Sequence, residues 1–140
     1  TLGHAGDSRA YLLRDGVLTQ LTTDDTWVQE RLDAKQLTAE QASGHPLGHM
    51  ITQCLGLEKR PDPHVSEGSL IAGDIYVLCS DGLTGVLTDE NITEILLGTL
   101  GPNPNPQDAE ATVKDIVAAA NHAGGHDNIT VALLVITDDS

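Results

Sequence analysis

Ile75-Tyr76-Val77-Leu78-Cys79-Ser80-Asp81-Gly82-Leu83-Thr84-Gly85 decides the reading of the chain, because an unbroken apolar run ends abruptly in a hydroxyl, a carboxylate and a glycine. Five apolar residues in succession, led by the β-formers Ile75, Tyr76 and Val77, predict a strand covered on both faces. Gly82 lets the backbone turn directly after the acid, so Asp81 is expected at the rim of a sheet. The arrangement recurs in reverse near the C-terminus, where Gly124-Gly125-His126-Asp127-Asn128 precedes an almost wholly apolar stretch at 129–136. A third acid sits in Gly6-Asp7-Ser8-Arg9, ahead of Ala10-Tyr11-Leu12-Leu13. Taken singly, Asp-Gly and Asp-Asn are ordinary turn dipeptides. Three acids at the mouths of three apolar strands form a set, and hard divalent cations such as Mg²⁺ and Mn²⁺ want several carboxylate oxygens on preorganised backbone.

The rest of the composition narrows the class. The chain has 140 residues, enough for one domain or a piece of one. It has no Phe, one Trp and two Tyr, so the core must be aliphatic. Seven basic residues against twenty-one acidic ones give a net charge of −14, which excludes nucleic acid and anionic membranes as partners. Acidity and phosphate binding are compatible only if bound cations invert the local sign; otherwise the charge is simply a solvated surface. Cys54 and Cys79 lie in apolar sequence and read as two buried free thiols rather than a disulfide framework. The start has neither the basic region nor the apolar core of a signal peptide, and no stretch reaches about 18 apolar residues, so the cytoplasm is the expected compartment.

Along the chain, the first twenty residues read as strand, loop and hairpin, the hairpin turning at Asp15-Gly16. From Thr26 the period becomes helical through Trp27, Val28, Arg31 and Leu32, and Thr38 with Gln41 forms a capping box for a second short helix that Gly44 and Pro46 end. After the break at Pro61-Asp62-Pro63, a weak strand at 64–66 is expected to pair with the one beginning at Ile75, turning through Ala72-Gly73-Asp74. Thr88 should cap a helix burying Ile92, Ile95 and Leu96 and closing at Gly98. Pro102, Pro104 and Pro106 suggest a stiff polar loop. The longest helix is expected over 107–123, with Ala109, Val113, Ile116, Val117 and Ala120 on its apolar stripe and Gly124-Gly125 as its stop.

Two rival chemistries are weaker. His45 with His49 and His122 with His126 have zinc-like spacing, but Pro46 and Gly48 interrupt the first pair and Gly124-Gly125 the second. Neither Ser8 nor Ser80 lies in a Gly-x-Ser-x-Gly elbow.

Gly6-Asp7-Ser8-Arg9-Ala10-Tyr11, Ser80-Asp81-Gly82-Leu83 and Gly125-His126-Asp127-Asn128-Ile129-Thr130, in that order, resemble the later part of the metal-dependent serine/threonine protein phosphatases of type 2C. His45-Pro46 and Ile51-Thr52-Gln53-Cys54-Leu55-Gly56 are similar to bacterial members. The resemblance implies an α/β fold, a four-layer α-β-β-α sandwich of two antiparallel sheets flanked by helices, here incomplete at the N-terminus. It implies two Mn²⁺ or Mg²⁺ ions, with a third in some complete domains, and hydrolysis of phosphoserine and phosphothreonine in proteins. Carried over, Asp81 and Asp127 are metal ligands and Asp7 is the position of a third, weaker ion. Asn128 orients its loop, Gly82 and Gly125 have backbone roles, and Arg9 is structural.

The family's bridging carboxylate, phosphate-gripping arginine and candidate general-acid histidine have no counterpart here, so no catalytic residue is assigned. The segment 22–57 matches a flap beside the active site. It reads either as a mobile segment touching substrate or partner, or as a structural insertion. The implied partners are phosphoproteins and a serine/threonine kinase or its targets. These 140 residues alone are expected to lack turnover and to self-associate or bind their missing half. The alternative function is a non-catalytic fragment or pseudophosphatase acting as an acidic interaction module.

Overall fold

The computed structural model of the chain describes residues 1–54, 56, 60–101 and 104–138. Leu55 of the 51–56 motif, Leu57 at the end of the flap-like segment and Pro102 of the proline loop lie outside the described residues. In chain order the elements are β1 (Leu2–His4), β2 (Arg9–Arg14), β3 (Val17–Gln20), α1 (Trp27–Asp33), α2 (Ala39–Ala42), β4 (His64–Ser66), β5 (Ile75–Cys79), α3 (Asp81–Thr84), α4 (Asp89–Thr99), α5 (Pro106–His122) and β6 (Val131–Val135). The fold is mixed α/β with two antiparallel sheets and helices, as expected. The chain divides into two units, one of Thr1–Ser8 with Thr22–Gly68 and one of Arg9–Leu21 with Ser69–Ser140.

The second unit is built on an antiparallel sheet of order β3-β2-β5-β6. Its hairpin turns where expected: Asp15 (φ 52°) and Gly16 (φ 78°) are both left-handed, the conformation that a two-residue turn needs to match the twist of its strands. The register aligns Tyr11 with Val77 and Val77 with Leu133, and Leu13 with Ile75 and Ile75 with Val135. These side chains share one face and pack with Leu83, Ile92, Leu96, Ile116 and Ala120 of the helices.

The opposite row, Leu12-Tyr76-Leu134 and Ala10-Leu78-Ala132, is different. Leu78 is 44% exposed and Leu134 50%, so β5 is not covered on both faces in this chain, contrary to the sequence reading. An unbroken apolar run conceals this, because strand side chains alternate faces whatever their identity and the helices cover only one of them.

Thr88 caps α4 as expected, in a reciprocal box with Asn91, but the helix runs through Gly98 to Thr99. Asn105 and Asp108 form the same box on α5, and Pro106 is its first residue, where a fixed φ and a missing N–H cost nothing. The deepest line of α5 is Thr112, Ile116 and Ala120. Thr112 can be fully buried because its hydroxyl donates to the Asp108 carbonyl at 2.8 Å and meets the Thr99 hydroxyl at 2.8 Å.

At the start of β5, Asp74 is 1% exposed and accepts from both Nε and Nη2 of Arg14, each at 2.7 Å. The Arg14 guanidinium holds the Asp74 carboxyl down at about 2.

In the first unit, β4 pairs with β1, aligning Leu2 with Ser66 and His4 with His64. The expected partner, β5, has both edges occupied by β2 and β6, so β4 cannot join it. Thr26, where the helical period begins, caps α1, and the Thr38–Gln41 box caps α2 as read from the sequence. Cys79 is buried, but Cys54 is exposed, a correction to the expectation of two buried thiols.

Candidate metal-binding site

β5 delivers Asp81 as the first residue of α3, half-buried at the end of the strand. Ser80, just before it, ties that end to the segment leading into β6. Its N–H donates to the Thr130 carbonyl at 3.1 Å, its hydroxyl donates to the Asn128 carbonyl at 3.1 Å, and the same oxygen accepts from the Thr130 N–H at 3.0 Å. Gly82 completes the junction. A Cβ at this position would stand 2.9 Å from the Asn128 carbonyl carbon and closer still to its oxygen, so only glycine allows this approach. Each acid is one residue before a member of this pair, Asp81 before Gly82 and Asp127 before Asn128. The structure thus brings together the two backbone stretches that carry them.

The second stretch begins where α5 ends. Gly125 is left-handed (φ 51°), its N–H donates to the Ala120 carbonyl at 3.2 Å, and the chain leaves the helix towards Asp127. Asp127 is exposed, and its Oδ1 accepts from the Asn128 N–H at 2.7 Å, which fixes the carboxylate against its own loop. The oxygen-only character of the pair suits a hard divalent cation. Among the described residues, no three or more His, Cys, Asp or Glu side chains cluster as a ready-made metal cage.

Asp7 belongs to the first unit, where it follows Gly6 (φ 111°). Gly6 is clasped from both sides by Asp25: its N–H donates to Asp25 Oδ2 at 2.9 Å and its carbonyl accepts from the Asp25 N–H at 2.8 Å. Asp25 also accepts on Oδ1 from Gln53 Nε2 and meets His64 Nε2, both at 2.9 Å. Burial pushes the Asp25 carboxyl up, but the Gly6 N–H, His64 and Gln53 outweigh it and hold the group below its ordinary range. The sequence reading passes over Asp25, because nothing within a few residues distinguishes it from its neighbour Asp24.

Arg9 belongs to the second unit and donates to the Tyr11 hydroxyl at 3.1 Å, in keeping with a structural part. Burial pushes the Tyr11 phenol up to about 12. In the flap-like segment the Trp27 ring stacks on His45 at 5.3 Å and lies 5.0 Å below the Arg31 guanidinium. No helix among the described residues is long and apolar enough to cross a membrane.

No protein-family model matches the sequence. Individual relatives do. The chain is 43% identical over 138 residues to the serine/threonine protein phosphatase PstP of Mycobacterium tuberculosis, a match covering 98% of this chain and 25% of that protein. Among solved structures, the serine/threonine phosphatase of S. agalactiae superposes with a TM-score of 0.85 at 38% identity, over 96% of this chain and 52% of that one. The catalytic domain of PstP in complex with two manganese ions superposes with a TM-score of 0.73 at 41% identity, over 97% of this chain and 53% of that one. The chain thus spans about half of the phosphatase structures that it matches. It is a member of the type 2C serine/threonine protein phosphatase family, matched over nearly its whole length to a fragment of the larger catalytic domain.

Proposed function

We propose that the chain is the C-terminal part of one type 2C catalytic domain that hydrolyses phosphoserine and phosphothreonine in proteins with Mn²⁺ or Mg²⁺. The observation that carries this reading is the junction of Ser80 and Gly82 with Asn128 and Thr130, which joins the stretches bearing Asp81 and Asp127. In this reading Asp81 and Asp127 hold one divalent ion and Asp7 holds a further, weaker one. Ser80, Gly82, Gly125 and Asn128 keep the two main carboxylates in place.

When bound, a pair of such ions supplies a water of lowered pKa and offsets phosphate charge. On a chain of net charge −14, the carboxylates would otherwise repel the substrate. The segment 22–57 serves as a flap, and its Trp27, Arg31 and His45 stack offers a cationic and aromatic surface to a phosphoprotein. The remaining ligands come from the part of the domain that the solved relatives carry beyond this match.

The full-length protein, assayed on a phosphothreonine peptide with Mn²⁺ calorimetry alongside, tests the assignment. Asp81→Asn should weaken Mn²⁺ binding by more than about tenfold, since even outer-shell changes cost about that much, and turnover should fall with it. A parent protein that binds Mn²⁺ without turnover would instead favour the acidic interaction module. Unchanged Mn²⁺ affinity in Asp81→Asn would remove Asp81 from the site.

A further inference from the structure

We propose that Asp25 is a positioning residue that couples the flap-like segment to the Gly6–Asp7 turn, so that the folding of one sets the placement of the other. Its bearing on turnover rests on the function proposed above; its structural claim does not. The warrant is the convergence of donors on a single carboxylate that is only 7% exposed. Oδ2 takes the Gly6 N–H, from 19 residues upstream. Oδ1 takes Gln53 Nε2, 28 residues downstream, and faces His64 Nε2, 39 residues downstream. The Asp25 backbone extends the linkage, donating to the Gly6 carbonyl and accepting the Thr52 N–H at 2.7 Å, beside the bridge between Thr26 and Ile51.

A carboxylate is required by this arrangement rather than merely accommodated. Gln53 cannot rotate its amide without penalty, because its Oε1 already accepts the Asp62 N–H at 2.8 Å, so its Nε2 must face residue 25. The His64 ring is held in turn by stacking on His4 at 6.1 Å. An asparagine at 25 could serve Gly6 with its oxygen only by turning its own N–H groups towards the Gln53 donor, leaving a donor facing a donor. The clasp on Gly6 and the fixed Gln53 side chain therefore depend on each other through one residue. Asp7, the next residue after the clasp, inherits the position of Gly6.

The same logic supplies its own rescue. In the double variant Asp25→Asn with Gln53→Glu, the Asn oxygen accepts from Gly6 and its amide donates to the Glu carboxylate and to the unprotonated Nε2 of His64. That Glu carboxylate still accepts from Asp62. The experiment compares parent, Asp25→Asn and the double variant in the full-length protein by hydrogen exchange at the Gly6 and Thr52 amides, and by the Mn²⁺ dependence of p-nitrophenyl phosphate hydrolysis.

Asp25→Asn should speed exchange at Gly6 by at least about tenfold, the loss expected for a hydrogen bond to a charged group. It should also raise the Mn²⁺ concentration giving half-maximal rate, while the KM for p-nitrophenyl phosphate, a substrate too small to need the flap-like segment, stays at the parent value at saturating Mn²⁺. The double variant should restore both readouts, which a nonspecific loss of packing would not allow. Parent-like exchange in folded Asp25→Asn, or a double variant that exchanges fast or fails to fold, overturns the proposal. If Asp25→Asn itself does not fold, the double variant alone decides between the same outcomes. A parent protein without turnover at any Mn²⁺ concentration sinks the phosphatase reading and leaves the exchange comparison to judge Asp25.

Discussion

Gly82→Ala is the sharpest perturbation of the candidate metal site, because it adds one methyl group and removes no ligand. The new Cβ would lie 2.9 Å from the Asn128 carbonyl carbon and nearer to its oxygen, where ordinary contact begins at 3.4 Å. The obstacle is backbone rather than the end of a flexible side chain, and its oxygen is the nearer atom, so relief requires the β5–α3 corner and the 127–130 segment to separate by about one ångström. That movement stretches the three Ser80 hydrogen bonds to Asn128 and Thr130, now at 3.0 to 3.1 Å.

Overpacking of this kind costs about 1–3 kcal/mol and a weakened hydrogen bond about 1 kcal/mol more, for a loss of about 3 kcal/mol. In a domain of more than about 150 residues this corresponds to a fall in Tm of about 6–12 °C. Calorimetric unfolding of the full-length protein and Mn²⁺ titration of the same variant are the assays, and Mn²⁺ affinity should drop together with Tm. A Gly82→Ala protein with the parent's Tm and the parent's Mn²⁺ affinity would show that Gly82 does not pack on Asn128, and the placement of Asp81 beside the Asp127 loop would go with it.

Gly98→Ala should act in the opposite direction, because Gly98 lies within α4, is exposed, and leaves nothing within 4 Å of an added methyl group; stability should rise by about 0.5–1 kcal/mol in urea unfolding, and a loss would mean that the helix ends before it. Asp74 should give stability a pH dependence of definite sign. Its carboxyl is depressed from 3.8 to about 2 in the folded chain, so the stabilisation is complete above pH 3.8 and is lost as pH falls through about 2. Asp74→Asn should therefore cost about 1–3 kcal/mol at pH 7, a range lowered for the 38% exposure of the Arg14 side chain. The gap from the parent should narrow towards pH 2, and a gap that stays constant over that range would refute the pairing.

Signals confined to a few residues were legible in the sequence. The Asp15-Gly16 turn, the Thr38 and Thr88 caps and the apolar strands each depend on groups within about four positions, so local spacing suffices to read them. The motifs around Asp7, Asp81 and Asp127 carried the family resemblance for the same reason, each being a short run with its own turn chemistry. Tertiary structure alone decided the strand partners, since β4 joins Leu2–His4 across most of the first unit, and no residue near His64 records that choice. It also decided which face of β5 is covered, leaving Leu78 exposed, and which thiol is buried. Asp25 and Asp74 gain their importance from donors far away in the chain, Gly6, Gln53 and His64 for one and Arg14 for the other. A carboxylate reads the same in sequence whether it faces water or satisfies several buried donors, because only folding brings those donors to it.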